Sequence, residues 1–317
     1  MIDTSCIQYL LIINALHTDY LSENTYVFKK AEYMKNKKFS KNTTNTDFFR
    51  VCAVIVTFNP DIQCLRNSLK QLNRQVNKII IVDNNSNNVG FIEKIQDKKI
   101  TIIKLKDNTG IAHALNVGVK YALKSNPFWI LTLDDDSTIY RHAIKNVISQ
   151  YIKLDKKKRE NIGILGISDK KGDKELKEVK FLITSGNLIR STILLKTSFR
   201  DDLFIDLVDF EFDLSVRAMG YRILLYNTKL MEHKLGDSFE FMGKKFNFES
   251  PTRLYYITRN STFLLTRYHY PIKDWLRHLI WYRNALYFLG VQSLPVLSYK
   301  FLSGLFDGIV GRLGKRG

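Results

Sequence analysis

Short apolar, β-branched runs alternate with stretches of helical periodicity from residue 51 onwards. The runs VCAVIVT, IIIVD, ITIIK and FWILTLD are each followed by polar residues, a pattern typical of buried parallel strands. Apolar residues recur every three or four positions over residues 61–72 and 110–124, which predicts two helices. Strands that alternate with helices indicate βαβ units, so the predicted fold class is α/β, with a mainly parallel open sheet flanked by helices.

Polar side chains follow each predicted strand at its carboxyl end. In order along the chain they are Thr57 and Asn59, Asp83, Asn108, and the triplet Asp134, Asp135 and Asp136. Ligands bind at this edge of an open α/β sheet. The sequence therefore predicts a ligand site there.

The Asp134-Asp135-Asp136 triplet is the sharpest chemical feature. Three carboxylates at one strand end repel one another by about 1 kcal/mol per pair in water, so a compensating group is expected. If the strand runs through the triplet, alternation places Asp134 and Asp136 on one face, where two carboxylates suit Mg²⁺ or Mn²⁺ with phosphate oxygens completing the shell. The alternative is an acidic cap on the following helix.

A second acidic group lies in FIDLVDFEF. Asp209 and Glu211 share a face if this segment is extended, and a carboxylate within reach of a hydroxyl group acts as a general base. A surface strand or the start of a helix explains the same residues. His233, in MEHKLG, is by default a surface or internally hydrogen-bonded histidine.

Three further polar residues have structural alternatives. Asp83 either accepts hydrogen bonds from a nucleoside or closes an Asx-turn in DNNS. Asn108 is either a ligand-binding residue or a helix N-cap, with Gly110 in a tight turn. Asn116 lies inside a predicted helix, where a polar residue is harder to explain by local structure.

Charge and composition limit the function classes. The 317 residues include 49 Lys and Arg against 31 Asp and Glu, a net charge of +18 that favours an anionic partner. The three cysteines have no CxxC spacing and are odd in number, which argues against a zinc knuckle and a disulfide framework and fits a reducing compartment. The sequence has no GxxxxGK[ST], GxGxxG or GxSxG motif, which argues against P-loop, dinucleotide and serine-hydrolase chemistry.

The chain divides by composition into three parts. Residues 1–50 read as an N-terminal appendage or linker, and residues 29–50 carry seven basic and two acidic side chains. Residues 51–267 contain the strand and helix pattern, within which the charged stretch 153–180 is expected to be a solvated excursion. Residues 268–317 are predicted to be a basic, aromatic helical segment, and no uncharged stretch reaches the length of a membrane span.

Eight motifs, in order, resemble glycosyltransferase family 2, specifically its rhamnosyltransferase-like branch. The resemblance runs from residue 51 to about residue 267, and the motifs are VIVTFNP, IIIVDNNS, DNTGIAHALNVGVKYA, WILTLDDDS, ITSGNLI, LFIDLVDFEFDLSVRAMGY, EHKLG and RLYYITRN. It implies a GT-A fold with a nucleotide-binding half at 51–140 and an acceptor-binding half at 141–267. It also implies inverting, metal-dependent sugar transfer from a nucleotide-diphosphate donor, in the synthesis of a cell-surface polysaccharide such as an O-antigen.

The resemblance implies a role for each matching position. The nucleotide-sugar pocket comprises Thr57, Asn59, Asp83, Asn108, Gly110, Ala112, Asn116, Asp134 and Asp135. The donor sugar or acceptor is expected beside Ser185, Gly186 and Asn187. Asp134, Asp136 and His233 are the implied ligands of Mg²⁺ or Mn²⁺, and Asp209, with Glu211, is the implied catalytic base. Asp135 stands where the branch often has Gln, and Val208-Asp209 stands in place of the commoner Glu-Asp pair.

The implied donor is dTDP-rhamnose, with transfer of galactofuranose or another hexose from a UDP-sugar as the alternative. A glycan or polyprenyl-linked glycan is the expected acceptor. The basic and aromatic residues after 270 favour an anionic membrane surface, with the enzyme cytoplasmic and peripheral on the inner face of the cell membrane. Packing of these helices on the enzyme's own core or on a second subunit is the alternative, so an oligomer stays open.

Two remoter functions are a sugar nucleotidyltransferase and a nucleic-acid-binding protein. The first normally has a Gly-rich loop with Arg and Lys after its first strand, where this chain has TFNP. Against the second, the basic residues fall in three separated stretches without a recognised motif, so no nucleic-acid partner is expected.

Overall fold

A twisted eight-stranded sheet lies at the centre of the computed structural model, which describes residues 44–95, 97–233, 238–241, 244–247 and 249–316. The strands along the described chain are β1 Val51–Thr57, β2 Lys78–Asp83, β3 Ile100–Lys104, β4 Trp129–Asp134, β5 Ser137–Ile139, β6 Ile162–Ser168, β7 Leu176–Glu178, β8 Asn187–Arg190, β9 Arg222–Lys229, β10 Met231–His233, β11 Ser238–Phe241 and β12 Lys244–Asn247.

The strand order in the large sheet is β3-β2-β1-β4-β8-β6-β9-β7. Strands β3, β2, β1 and β4 run parallel, β8 is antiparallel to both of its neighbours, and β6 is parallel to β9. The four strands predicted from the apolar runs are therefore present, side by side, with their carboxyl ends at one edge. The prediction of a mainly parallel α/β sheet is confirmed.

Helices cover the sheet and form the last part of the described chain. They are α1 Ile62–Leu72, α2 Ile111–Ala122, α3 Ala143–Ile152, α4 Lys156–Glu160, α5 Ser191–Leu194, α6 Val208–Ala218, α7 Pro251–Arg267, α8 Ile272–Arg277, α9 Leu279–Leu289 and α10 Leu294–Val310. The two predicted helices correspond to α1 and α2. Asp61 caps α1 by accepting hydrogen bonds from the amides of Gln63 and Cys64.

The predicted solvated excursion over residues 153–180 is wrong. It contains β6, whose seven residues are all buried between β8 and β9. The apolar run IGILGIS lies between two highly charged flanks, so the charge of the whole stretch conceals a strand. The flanks include the exposed helix α4 and the edge strand β7.

The predicted appendage, residues 1–50, falls mainly outside the described residues. Within 44–50 the chain makes a 3₁₀ turn at Asp47–Phe49, and Phe48 is buried edge-on against Phe128 and Tyr151. This aromatic contact attaches the segment before β1 to the core.

Helices α7 and α10 pack closely through two glycines of α10. A Cβ at Gly304 would lie 2.8 Å from the Tyr255 carbonyl oxygen, and one at Gly308 would lie 2.5 Å from that of Arg259. Only glycine allows the two backbones to approach this closely. No helix of the described residues is both long enough and apolar enough to cross a bilayer.

Candidate active site

The acidic triplet lies in a turn at the carboxyl edge of the sheet. β4 ends at Asp134, Asp135 and Asp136 form the turn, and β5 starts at Ser137. Strand alternation is therefore not what brings Asp134 and Asp136 together, because the strand ends at Asp134 and Asp136 lies in the turn. β5 pairs antiparallel with β10, and this two-stranded ribbon places His233 directly opposite Ser137.

Asp134, Asp136 and His233 converge. One ligand atom from each lies within 4.8 Å of the others. The Nδ1 atom of His233 is 3.3 Å from Asp136 Oδ1 and 2.6 Å from the Ser137 hydroxyl. Sequence distance separates His233 from the acidic triplet by almost a hundred positions, and the β5–β10 pairing closes that gap.

The electrostatics of this cluster fit a divalent cation. Burial, followed by the charge of Asp136, raises the pKa of Asp134 to about 7. The hydrogen bond with Asp136 raises the pKa of His233. The two carboxylates are oxygen ligands of the kind that Mg²⁺ or Mn²⁺ takes, and a bound cation would offset the repulsion between them. The imidazole is a third donor, of a type that is more usual for softer divalent metals.

Asp135 points to the neighbouring strand end instead. Its carboxylate accepts a 3.0 Å hydrogen bond from the amide of Phe58, just after β1. Burial raises the pKa of Asp135 to about 6, and the charge of Asp83 contributes in the same direction. The middle residue of the triplet therefore ties the ends of β4 and β1 together on the Asp83 side.

Asp83 is buried and accepts hydrogen bonds within the chain. Thr57 Oγ1 donates to it at 2.9 Å, and the amide of Ser86 donates at 3.1 Å, which closes the turn considered from the sequence. Asn59, with φ of 52°, receives a bond from the amide of Asn87. The structure brings Thr57, Asn59 and Asp83 together at the ends of β1 and β2.

Asn108 and Gly110 form the next part of this edge. Asn108 Oδ1 accepts from the Gly110 amide at 3.0 Å, so Asn108 closes a turn, and Gly110 itself is the N-cap of α2. Gly110 has φ of +88°, and a Cβ there would lie 2.4 Å from the Phe204 carbonyl oxygen. Lys315 Nζ lies 3.1 Å from the Asn108 carbonyl oxygen.

Two residues of α2 fix the position of this helix. Ala112 is fully buried. Asn116 donates to the Phe199 carbonyl at 2.7 Å and accepts from the Phe199 amide at 3.0 Å. The polar residue inside the helix thus fastens α2 to the segment that leads to α6.

The segment at the start of β8 lies against the acidic turn and contains Ser185, Gly186 and Asn187. Ser185 Oγ accepts from the Asp134 amide at 3.1 Å and donates to the Ser137 hydroxyl at 2.7 Å. Gly186 has φ of +88°, and a Cβ would lie 2.6 Å from the sulfur of Met231. Asn187 is buried at the start of β8.

Asp209 lies across from this turn, in the first turn of α6. Its Oδ2 accepts from the Thr184 amide at 3.2 Å, and its Oδ1 accepts from the Phe210 amide at 2.9 Å. Burial raises the pKa of Asp209 to about 6, and the charge of Asp209 in turn contributes to the raised pKa of Asp134. The structure therefore places Asp209 beside the acidic turn.

Glu211 does not join Asp209. The segment is helical and not extended, so side chains two positions apart leave α6 in different directions. Ser215 donates to the Glu211 carboxylate at 3.0 Å, and Arg200 and Tyr268 lie beside it. Burial raises the pKa of Glu211.

Arg253 is a charged group that the sequence reasoning did not assign. It lies in the first turn of α7, where it pairs with Asp206 at 2.6 Å and Glu249 at 2.5 Å. Its carboxylate partners, Asp206 first, raise the pKa of Arg253, and the charge of Asp134 contributes in the same direction. The available signal was its position in RLYYITRN, a motif quoted without a role for any residue.

Comparison with known proteins identifies the family. Residues 52–158 match the family described as Glycosyl transferase family 2. The dTDP-rhamnosyl transferase RfbF of Shigella flexneri is 31% identical over 290 residues, which cover 83% of this chain and 97% of that protein. A mycobacterial protein of known crystal structure aligns over 74% of this chain and 81% of its own, with 11% identity and a TM-score of 0.45. The chain belongs to glycosyltransferase family 2, in its rhamnosyltransferase-like branch, and is a glycosyltransferase with a GT-A fold.

Proposed function

We propose that the protein is an inverting, metal-dependent rhamnosyltransferase that uses dTDP-rhamnose. The observation that carries this proposal is the placement of one carboxylate, Asp209, beside the Asp134–Asp136–His233 cluster but outside it. Inversion in a single displacement needs a base for the acceptor and separate stabilisation for the departing diphosphate. The relative named as a dTDP-rhamnosyl transferase supports the choice of donor.

Asp134, Asp136 and His233 would hold Mg²⁺ or Mn²⁺. When bound, such an ion offsets the negative charge that develops on a diphosphate leaving group. The pairing with Asp206 and Glu249 fixes the orientation of the Arg253 guanidinium, and its charge interacts with that of Asp134. We assign Arg253 to the diphosphate.

Asp209 takes the proton from the acceptor hydroxyl. Its raised pKa of about 6 makes it a stronger base than an exposed aspartate while leaving it ionised at neutral pH. The Thr184 amide fixes one of its oxygens. Glu211, on the other side of α6, is assigned to supporting that helix through Ser215.

The nucleoside is assigned to the edge formed by β1 and β2. Thr57, Asn59 and Asp83 lie there, with Asp135 next to them and Asn108 and Gly110 on the far side. Their existing hydrogen bonds preform the turns that a base and ribose would contact. We assign an indirect role to Ala112 and Asn116, which fix the position of α2. The donor sugar or the acceptor is assigned to the side of the site formed by Ser185, Gly186 and Asn187.

Donor turnover tests this proposal. Purified protein is incubated with dTDP-rhamnose, UDP-galactofuranose or a UDP-hexose, with Mg²⁺, Mn²⁺ or EDTA, and release of the nucleotide diphosphate is measured. The expected result is ion-dependent release that is fastest with dTDP-rhamnose, and NMR of the product shows an inverted anomeric centre. Preference for UDP-galactofuranose supports the alternative donor, whereas turnover unaffected by EDTA overturns the metal requirement.

The acceptor is proposed to be a lipid-linked glycan reached at an anionic membrane surface. α10 has two apolar faces. One packs on α7 through Gly304 and Gly308. The other exposes Leu302, Phe306, Ile309 and neighbouring residues to solvent, each about half exposed or more. A large exposed apolar face on a helix marks a contact surface for a membrane or another protein.

Charge favours the membrane over a second copy of the chain. Residues 268–317 contain seven basic and two acidic side chains. Asp307 is buried against Arg312 and Arg316, and Asp274 pairs with Arg277, so the acidic groups are covered by arginines. The exposed charge is therefore positive, which attracts anionic lipid and repels a like-charged copy. Peripheral association with the inner face of the cell membrane follows.

Vesicle sedimentation tests the membrane contact. The protein should sediment with phosphatidylglycerol-containing vesicles and not with pure phosphatidylcholine. The double variant Leu302→Ser/Phe306→Ser should lose binding, and the charge change Lys157→Glu/Lys158→Glu on α4 serves as a control that keeps it. A protein that ignores both vesicles and forms a dimer that the double variant dissociates would show that the face binds a second copy.

A further inference from the structure

The segment that leads to Asp209 has an unfavourable backbone. Phe204, Asp206 and Leu207 have φ of 65°, 63° and 59°, in the left-handed region that residues other than glycine rarely adopt. Such conformations persist only where the surrounding structure holds them. Leu207 is the N-cap of α6, and Asp209 lies in the first turn of that helix. The direction of the Asp209 side chain therefore depends on residues 203–207.

A buried amide makes several of the hydrogen bonds that hold this segment, and the backbone amide of Ile111 donates to the Phe204 carbonyl at 2.8 Å. Asn260 lies on α7 and is fully buried. Its Nδ2 atom lies 3.0 Å from the carbonyl oxygen of Leu203, 2.8 Å from that of Ile205 and 2.9 Å from that of Asp206. Because an amide nitrogen carries two hydrogens, the three carbonyls share them, and all three must stay turned towards Asn260.

Arg259 orients that amide. Its Nε donates to Asn260 Oδ1 at 2.9 Å, which leaves Nδ2 as the end that faces the segment. Its Nη2 donates to the Leu203 carbonyl at 2.9 Å, so it also contacts the segment directly. Arg259 is itself buried, with the rings of Tyr255 and Tyr256 near its guanidinium. The two residues form one unit, the Arg259–Asn260 clamp.

We propose that the Arg259–Asn260 clamp is a positioning device for Asp209, an inference that rests on the proposed role of Asp209 as the base. The clamp fixes the carbonyls of Leu203, Ile205 and Asp206 and thereby the start of α6. Neither residue is assigned to substrate. The clamp gives a function to the last two residues of the RLYYITRN motif. Their side chains hold the left-handed backbone of the segment that leads to Asp209.

The first test is Asn260→Ser, which removes the amide and leaves the three carbonyls without it. We expect kcat to fall about tenfold to a hundredfold, because misplacing a reacting group by about 1 Å costs up to that much. KM for the donor should change less than about threefold, since the donor residues lie elsewhere. The control is Ser261→Ala, at the neighbouring fully buried position, where the hydroxyl bonds only within α7 to the Thr258 carbonyl. Its kcat should equal that of the wild type.

A double-mutant cycle separates positioning from general support of the fold. If the clamp acts through Asp209, then Asn260→Ser should not further slow a protein that already carries Asp209→Asn. If both changes multiply, Asn260 acts independently of the base and the proposal is overturned. If Asn260→Ser does not fold, Arg259→Lys replaces it in the same double-mutant cycle. Lysine keeps the positive charge but lacks the guanidinium group, which donates to both Asn260 and the Leu203 carbonyl.

The cycle also distinguishes this proposal from the proposed function. Full activity in Asp209→Asn would remove Asp209 as the base, and the clamp proposal with it. Loss of activity in Asp209→Asn together with wild-type kcat in Asn260→Ser would leave the proposed mechanism intact and overturn the clamp alone.

Discussion

Asp209 and Asp134 are linked through two consecutive residues. The Thr184 amide donates to Asp209 at 3.2 Å, and the hydroxyl of Ser185 accepts from the Asp134 amide at 3.1 Å. Thr132 on β4 also donates to the Thr184 carbonyl at 2.6 Å, so the dipeptide is fixed to the sheet. The proposed base and the proposed ion-binding group therefore keep a fixed relation, although 75 positions of the sequence separate them.

Asp209→Asn should lower kcat about 10²- to 10⁴-fold, because the amide keeps the shape of the side chain and cannot accept the proton. Binding of the donor should change little, as measured by thermal stabilisation with dTDP-rhamnose and Mn²⁺. Asp155→Asn, at a side chain that is 80% exposed, is the matched control and should have wild-type activity. An Asp209→Asn protein with normal kcat would exclude this residue as the base.

The rate should fall on the acid side with a midpoint near pH 6. Burial raises the pKa of Asp209 to about 6, and a general base works only when deprotonated, so protonation below that pH removes it. The measurement is kcat/KM between pH 5 and pH 9 at saturating Mn²⁺. A rate that stays level down to pH 5 would mean that the group which titrates in catalysis is not a carboxylate with this raised pKa.

The sequence was sufficient for β1, β2 and β4 because each is an apolar run that is buried along almost its whole length and is followed by polar residues. It was insufficient for β6, whose apolar run lies between charged flanks. Local pattern also cannot detect the β5–β10 pairing, which depends on contact between distant segments. The position of His233 opposite Ser137 is therefore visible only in three dimensions.

The candidate site shows the same division. The acidic triplet was recognisable because three adjacent carboxylates are costly without a partner. Asp134 and Asp136 converge as expected, but through a turn and not through strand alternation. The assumption of extended structure gave the wrong result for Asp209 and Glu211, because that segment is a helix. Arg253 and the clamp residues lie on α7, whose aromatic and polar residues have the composition of an ordinary buried helix.

Asp134→Asn should stabilise the metal-free protein at pH 8. Burial and the charge of Asp136 raise the pKa of Asp134 in the folded protein to about 7, from an ordinary value of 3.8. Between these two pH values the Asp134 carboxyl is ionised in the unfolded chain and protonated in the folded chain. The free energy of unfolding therefore falls as pH rises, and it stops falling above about pH 7. The advantage of Asn should therefore be largest at pH 8 and shrink towards pH 4.

The measurement for Asp134→Asn is the unfolding midpoint at several pH values, with EDTA and with Mn²⁺. In Mn²⁺ the order should reverse, because the wild type gains a bound ion and the variant loses a ligand. A variant that is less stable than the wild type in EDTA at pH 8, and equally stabilised by Mn²⁺, would contradict the assignment of Asp134 to the ion.

Gly308→Val should destabilise the protein by about 1–3 kcal/mol, because the added side chain overfills the contact between α10 and α7. A Cβ at Gly308 would lie 2.5 Å from the Arg259 carbonyl oxygen and 2.8 Å from the Thr262 Cβ, so a backbone must move. The control is Gly90→Val, where a Cβ meets nothing within 4 Å. Urea unfolding of both variants gives the comparison. Because the displaced carbonyl belongs to Arg259, Gly308→Val should also lower kcat, as Asn260→Ser does. If the two glycine variants were equally stable, α10 and α7 would be able to separate without a cost in stability.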